Sequence, residues 1–175
     1  MMTTSAEVAA IPARIAFSTP LPRSFFTAST HDYLLVFTTT GKVYWLKVHE
    51  VPQASRYARG TAIANLLAMQ KDERLSTFVA VKAFSPDEFL VMATAQGTVK
   101  KTKLEAYANQ RKSGIIAITL EKGDELIEAI LTDGDRELLL ITRLGKAIRF
   151  PEGQAREVGR GARGVRGIRL GKGDE

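Results

Sequence analysis

The sequence contains no cysteine, which excludes disulfides and thiolate metal centres and allows a reducing compartment. Two histidines, His31 and His49, are too few for a zinc site. No apolar run approaches the roughly 20 residues that a spanning helix needs, and the opening MMTTSAEVAAIPARI lacks the basic leader and apolar core of a secretory signal. A cytoplasmic protein without membrane contact is therefore expected. Neither GxxxxGK followed by Ser or Thr nor GxSxG occurs, so no phosphate loop or esterase-type nucleophile is indicated. One cofactor-like pattern exists, GRGARG at Gly159 to Gly164. Dinucleotide binding needs a strand before those glycines and a helix after them, whereas here a loop-like segment precedes and a strand-like one follows. No cofactor, metal or catalytic residue is expected. Asp133-Gly134-Asp135 reads as a turn, and Tyr57 as a stacking or packing residue.

What the sequence does have is repetition. LLLITRLGKAIRF (Leu138 to Phe150) matches LLVFTTTGKVYWL (Leu34 to Leu46) and LVMATAQGTVKKT (Leu90 to Thr102), aligned on Gly145, Gly41 and Gly97. Each copy is an apolar run, a polar stretch ending in glycine, and a second run with β-branched or basic residues. That is a hairpin whose loop ends where a positive φ is needed. A loop follows each, ending at Gly60, Gly114 and Gly164, then strand-like segments at Ile63 to Leu67, Ile115 to Leu120 and Val165 to Leu170. Acidic turns and further strands come next, at Leu75 to Val81 and Leu126 to Leu131.

Three landmarks per repeat at a spacing near 50 predict an all-β fold, a partial β-pinwheel or propeller-like array of about three four-stranded blades. Residues 1–12 are expected to be a flexible start, and 13–30 the end of a preceding blade with short strands at Ala13 to Phe17 and Ser24 to Ser29. Blades are expected at 31–84 and 85–133, with an incomplete one at 134–175. Closed propellers usually have four to eight blades, so the chain is expected to be part of a longer array, or else to self-associate through unpaired blade edges.

The charge is unevenly placed. From Arg136 to Lys172 there are ten Lys or Arg and three acids, a balance of +7 in a chain whose formal total is +6. Such asymmetry points to a polyanion, and nucleic acid is favoured over membrane because no basic amphipathic helix accompanies it. Period-two geometry groups Trp45 with Lys47, and Lys101 with Lys103, with Arg149 at the equivalent place in the third hairpin. The loops add Arg56 and Arg59, then Arg111 and Lys112, then Arg156, Arg160 and Arg163, and Arg166 and Arg169 follow on the next strand. Together these cations are the candidate DNA-binding residues. The competing reading is a propeller-like protein-interaction scaffold whose charge serves solubility.

HDYLLVFTTTGKVYWLKVHEVP, ARG at Ala58 to Gly60, ATAQGTVKKTKL, GDELIEAILT and GVRGIRLGKGD closely resemble the C-terminal domain of the DNA gyrase A protein. The resemblance covers nearly all of residues 24–175, and the topoisomerase IV C-terminal domain is a near relative. It implies a non-catalytic part of an ATP-hydrolysing type IIA topoisomerase, one that wraps double-stranded DNA on a basic rim. Its partners would be the gyrase B subunit together with the remainder of the gyrase A subunit. The gyrase box Gln-Arg-Arg-Gly-Gly-Lys-Gly does not occur here, and Gln110 to Gly114 (QRKSG) echoes it only in part.

Overall fold

The computed structural model describes residues 26–175. Among these, the regular structure is strands and short 3-10 turns: β1 (Tyr33–Thr38), β2 (Lys42–Lys47), β3 (Leu75–Val81), β4 (Phe89–Thr94), β5 (Thr98–Lys103), β6 (Ile115–Ile116), β7 (Leu126–Thr132), β8 (Glu137–Ile141), β9 (Ala147–Pro151) and β10 (Val165–Arg166). The three hairpins form as expected. Gly41, Gly97 and Gly145 close them at φ of +78°, +79° and +83°, a conformation that costs a residue with a Cβ about 1–2 kcal/mol.

The strands assemble into sheets ordered β3-β1-β2-β6 and β10-β5-β4-β7, with β8-β9 as a two-stranded sheet. This corrects the expectation of one repeat per blade. β6 lies in the second repeat yet completes the first sheet by pairing with β2, and β10 of the third repeat completes the second sheet by pairing with β5. The physical reason is the outer edge of each hairpin, whose amides and carbonyls need partners; the following repeat supplies them. In place of the strand expected at Ile63 to Leu67, a 3-10 turn forms at Ile63–Asn65. That segment has no earlier hairpin to join among the described residues. The anticipated strand at 13–17 lies outside the described residues, and Phe26 to Ser29 are not in a strand.

The exchanged strands are held by one repeated contact. The Gly41 carbonyl accepts from the amides of Ala117 (2.8 Å) and Ile118 (3.1 Å), and the Gly97 carbonyl accepts from Gly167 (2.8 Å) and Ile168 (3.2 Å). A Cβ at Gly41 would lie 2.6 Å from the Ile118 carbonyl oxygen, and one at Gly97 2.7 Å from that of Ile168. Glycine is thus required twice over, by its φ and by the approaching backbone.

Burial follows from the alternation. Leu35, Phe37 and Val43 on one face of the first sheet pack with Leu90, Met92 and Leu104 of the second repeat, and Ile115, Ala117 and Ile118 fill the seam. Val91 and Val99 meet Leu138 and Ala155 in the same way at the next seam. Each fully buried Val, Leu, Ile, Phe or Met side chain contributes about 1.5–3 kcal/mol. At the inner end, Ser76 Oγ donates to the Leu126 carbonyl (2.7 Å) and Thr77 Oγ1 to Glu128 Oε1 (2.6 Å). β3 therefore touches β7, and β6 and β10 lie at the opposite, outer ends of their sheets.

The Gly97→Ala variant should lose at least ~1 kcal/mol more stability than Gly145→Ala in urea unfolding. Both suffer the positive φ, but nothing lies within 4 Å of a Cβ at Gly145. Equal losses would show that the carbonyl of Ile168 yields freely.

Candidate nucleic-acid interface

The basic loops run into β6 and β10, the outer strands, so the topology carries them to the periphery. Arg111 and Lys112 are exposed and border an open cleft with Tyr44, Trp45 and Asn65. Just beyond them in sequence, the Ile116 carbonyl accepts from Arg160 Nη1 at 2.9 Å. Thr119 Oγ1 donates to the Gly161 carbonyl (2.8 Å), and Arg163 Nη1 lies 3.2 Å from Glu121 Oε1. Residues 115–121 are therefore flanked by both loops, which brings Arg111, Lys112, Arg160 and Arg163 along one stretch of outer backbone. Arg156, Arg166 and Arg169 make no ion pair among the described residues. Arg156, Arg166 and Arg169 are all exposed.

Arg56 and Arg59 stand in the exposed loop after the first hairpin. Arg56 lies over the Tyr57 ring at 4.3 Å, and Tyr57 is 79% exposed, so this tyrosine stacks rather than packs in a core. Glycines 159–164 run into strand β10, as expected, and not into a helix. Among the described residues no cluster of three or more His, Asp or Glu is placed to hold a metal, and no helix is long and apolar enough to cross a membrane.

The second-strand cations do not form the solvent-facing row expected of them. Lys101 is only 7% exposed: its Nζ lies 3.0 Å from Glu152 Oε1, donates to the Gly134 carbonyl (3.2 Å) and sits 4.3 Å from the Phe89 ring centroid. Its counterpart Trp45 donates from Nε1 to the Tyr107 carbonyl at 3.0 Å. The alternation holds, but in both four-stranded sheets the following repeat covers that face. Lys101 is thereby removed from the candidate set. Arg149, in the same register, is exposed and 3.7 Å from Glu137 Oε2. Lys47 and Lys103, nearer the strand ends, keep access to solvent; Lys47 stands 5.8 Å over Tyr33 and Lys103 4.0 Å from Glu105.

Fully buried Glu152 also accepts from Thr132 Oγ1 (2.6 Å) and the Arg136 amide (3.3 Å). An ion pair taken out of water needs this full set of partners, because desolvation otherwise exceeds the Coulomb gain. Glu73 shows the same design, with Lys42 Nζ and Tyr44 OH each at 2.6 Å and the Gln70 amide at 3.1 Å. Burial alone would raise its pKa, but the Lys42, Tyr44 and Gln70 bonds outweigh it and hold the carboxyl below its ordinary value.

Lys100 lies outside the set of cations expected to matter. It is 1% exposed, and its Nζ donates to the carbonyls of Ala117 (2.6 Å) and Arg160. Burial first, and the Arg160 charge second, push its pKa down to about 8. A signal for it exists in the sequence: the aligned hairpins carry Tyr44, Lys100 and Ile148 at this position, so one cation stands in an otherwise bulky, mainly apolar column.

The family model "DNA gyrase C-terminal domain, beta-propeller" matches residues 32–82, 88–133 and 136–175. The chain belongs to the DNA gyrase C-terminal domain family. Each matched segment starts close to the start of one of the three repeats. The DNA gyrase A protein of Haemophilus influenzae is 48% identical over 143 residues, 82% of this chain and 16% of that protein. Its Escherichia coli K12 counterpart is 47% identical over 148 residues, covering 85% and 17% respectively. The chain thus spans about a sixth of the length of these relatives. Among solved structures, a C-terminal domain of DNA topoisomerase IV superposes with a TM-score of 0.75 at 36% identity, over 83% of this chain and 45% of that one. A DNA gyrase A C-terminal domain gives 0.69 at 26% identity, over 84% and 46%.

The unfolded chain binds the Lys100 proton more tightly than the folded one, so the Lys100 contribution to stability rises as pH climbs from about 8 towards the ordinary 10.5. Relative to Lys100→Met, the wild type should gain about 2 kcal/mol between pH 8 and pH 10. Paired urea titrations read this difference, and a gap independent of pH would contradict it.

Proposed function

We propose that this chain is a non-catalytic module that binds and wraps duplex DNA as part of a gyrase A subunit. In that role it acts in the cytoplasm, together with the rest of its own polypeptide and the gyrase B subunit, to present DNA to a topoisomerase core for ATP-dependent supercoiling. The observation that carries the reading is the meeting of the two basic loops along residues 115–121, at the outer ends of the first and second sheets. Family membership supports it independently.

Exposed guanidinium groups on a glycine-rich loop suit phosphates, which reach close to a backbone lacking side chains. Binding of this kind draws its free energy mainly from released counterions and is largely indifferent to base sequence. Wrapping then favours easily bent DNA, because deformation energy differs among sequences that the protein never reads directly. Arg56 with Tyr57, Arg59, Lys47 and Lys103 would extend the track across the first two repeats, and Arg166, Arg169 and Arg149 across the third. The topoisomerase IV resemblance supports the same chemistry in a sister enzyme. β8 and β9 have no further strand partner among the described residues, and this supports association of two copies there. Light scattering that finds only monomer would remove that association and leave the DNA reading intact.

Binding of linear duplex DNA across a salt series is the test. The expected result is an affinity that falls steeply with salt, with similar values for unrelated sequences. The Arg156→Glu, Arg163→Glu, Arg166→Glu triple variant should keep its melting temperature within about 3 °C. Its salt slope should shrink by about 0.9 for each phosphate left unneutralised. Salt-independent or absent binding by the wild type would favour a protein-interaction scaffold.

A further inference from the structure

We propose that Lys100 is a positioning residue for this interface, its buried ammonium fastening the arginine loop 156–164 to the outer edge of the first sheet. The proposal rests on the DNA-binding reading for its consequence, but the fastening itself is a matter of geometry. Lys100 belongs to β5 of the second sheet. Ala117, whose carbonyl accepts from it, follows β6 of the first sheet, and Arg160, the second acceptor, lies in the third repeat. One side chain therefore joins β5, the exchanged segment and the basic loop.

Its environment is unusual for a lysine. It takes part in no salt bridge among the described residues, so carbonyl dipoles alone compensate a charge that burial penalises. Isoleucine stands at the equivalent Ile148 of β9, where the strand forms without a cation. The hairpin does not require lysine at this position; the loop is what the lysine serves.

The loop has reason to need fastening. Gly159, Gly161 and Gly164 give its backbone wide freedom, and ordering it on ligand binding would subtract from affinity. In the folded chain it is tied at several points: the Val158 amide donates to the Lys101 carbonyl at 3.0 Å, Thr102 Oγ1 to the Val158 carbonyl at 3.0 Å, and Thr119 Oγ1 to the Gly161 carbonyl at 2.8 Å. Lys100 grips Arg160 between the second and third of these ties. It uses the main chain of Arg160, while the Arg160 guanidinium reaches the Ile116 carbonyl. Arg156 and Arg163 are then carried on a loop whose centre is pinned.

The experiment compares wild type with Lys100→Ile and Lys100→Met in the full chain. Without DNA, hydrogen exchange at residues 157–163 should accelerate at least tenfold in both variants, with β4 and β7 unchanged. With linear duplex DNA, affinity should fall three- to tenfold. In an Arg156→Glu, Arg163→Glu background, replacing Lys100 should have no further effect, since the lysine acts through the loop that bears those charges. Unchanged loop exchange, an equal affinity loss in both backgrounds, or failure of both variants to fold would each overturn the proposal. Should the wild type bind no DNA, the positioning role falls with the interface, and loop exchange still reports whether the fastening exists.

Discussion

Two amides converging on one glycine carbonyl decide how this chain is put together. At Gly41 and again at Gly97, that contact receives the first residues after an exchanged strand and fixes the strand against the hairpin of the preceding repeat. Without it β6 and β10, two residues each, would have little to hold them, because pairs that short contribute few ladder bonds. The seams between repeats, the cover over each hairpin edge and the placement of the basic loops all depend on where those strands are seated. The close approach at glycine is thus a constraint on assembly as much as on turn geometry.

Much of this is legible in the sequence. The glycine-aligned hairpins reveal the three repeats and the all-β class, because turn chemistry and period-two alternation are local properties; the family shows only through the resemblance of particular segments such as HDYLLVFTTTGKVYWLKVHEVP and GVRGIRLGKGD. Sheet membership is not local. Nothing in Ile115-Ile116 says whether it closes its own repeat or the one before, since an apolar pair can join any open edge. Ile63–Asn65 departs from expectation for a related reason: among the described residues no earlier hairpin offers it an unpaired edge. The loop cations are visible as charge and reach the outside as expected, because loops between strands run over the surface. Lys101 defeats the sequence reading because alternation reports which face a side chain takes, but not what covers that face. Lys100 looks like one more basic residue, although its column of Tyr44 and Ile148 marks it as interior.

The buried ionic groups share a logic with the seams. Glu73 holds together Lys42, Tyr44 and the Gln70 turn within the first repeat. Glu152 and Lys101 join the second repeat to the third, and Lys100 joins β5, the exchanged segment and the basic loop. Apolar contact between repeats is non-directional and would tolerate small slips. Charged groups with fixed donor and acceptor geometry do not, and Lys101 with Glu152 and Lys100 with its two carbonyls place such groups across the contacts between repeats.

The exchange of outer strands has a consequence for how the chain comes into being. The first hairpin is finished by Lys47, yet its sheet is not closed until Ile116, a whole repeat later in synthesis. A nascent chain leaving the ribosome would carry an open sheet edge throughout that interval, and closing each sheet would prepare the hairpin that waits for the next. Maturation would then proceed as a zipper from the N-terminal side, each repeat acting as the template on which its successor docks.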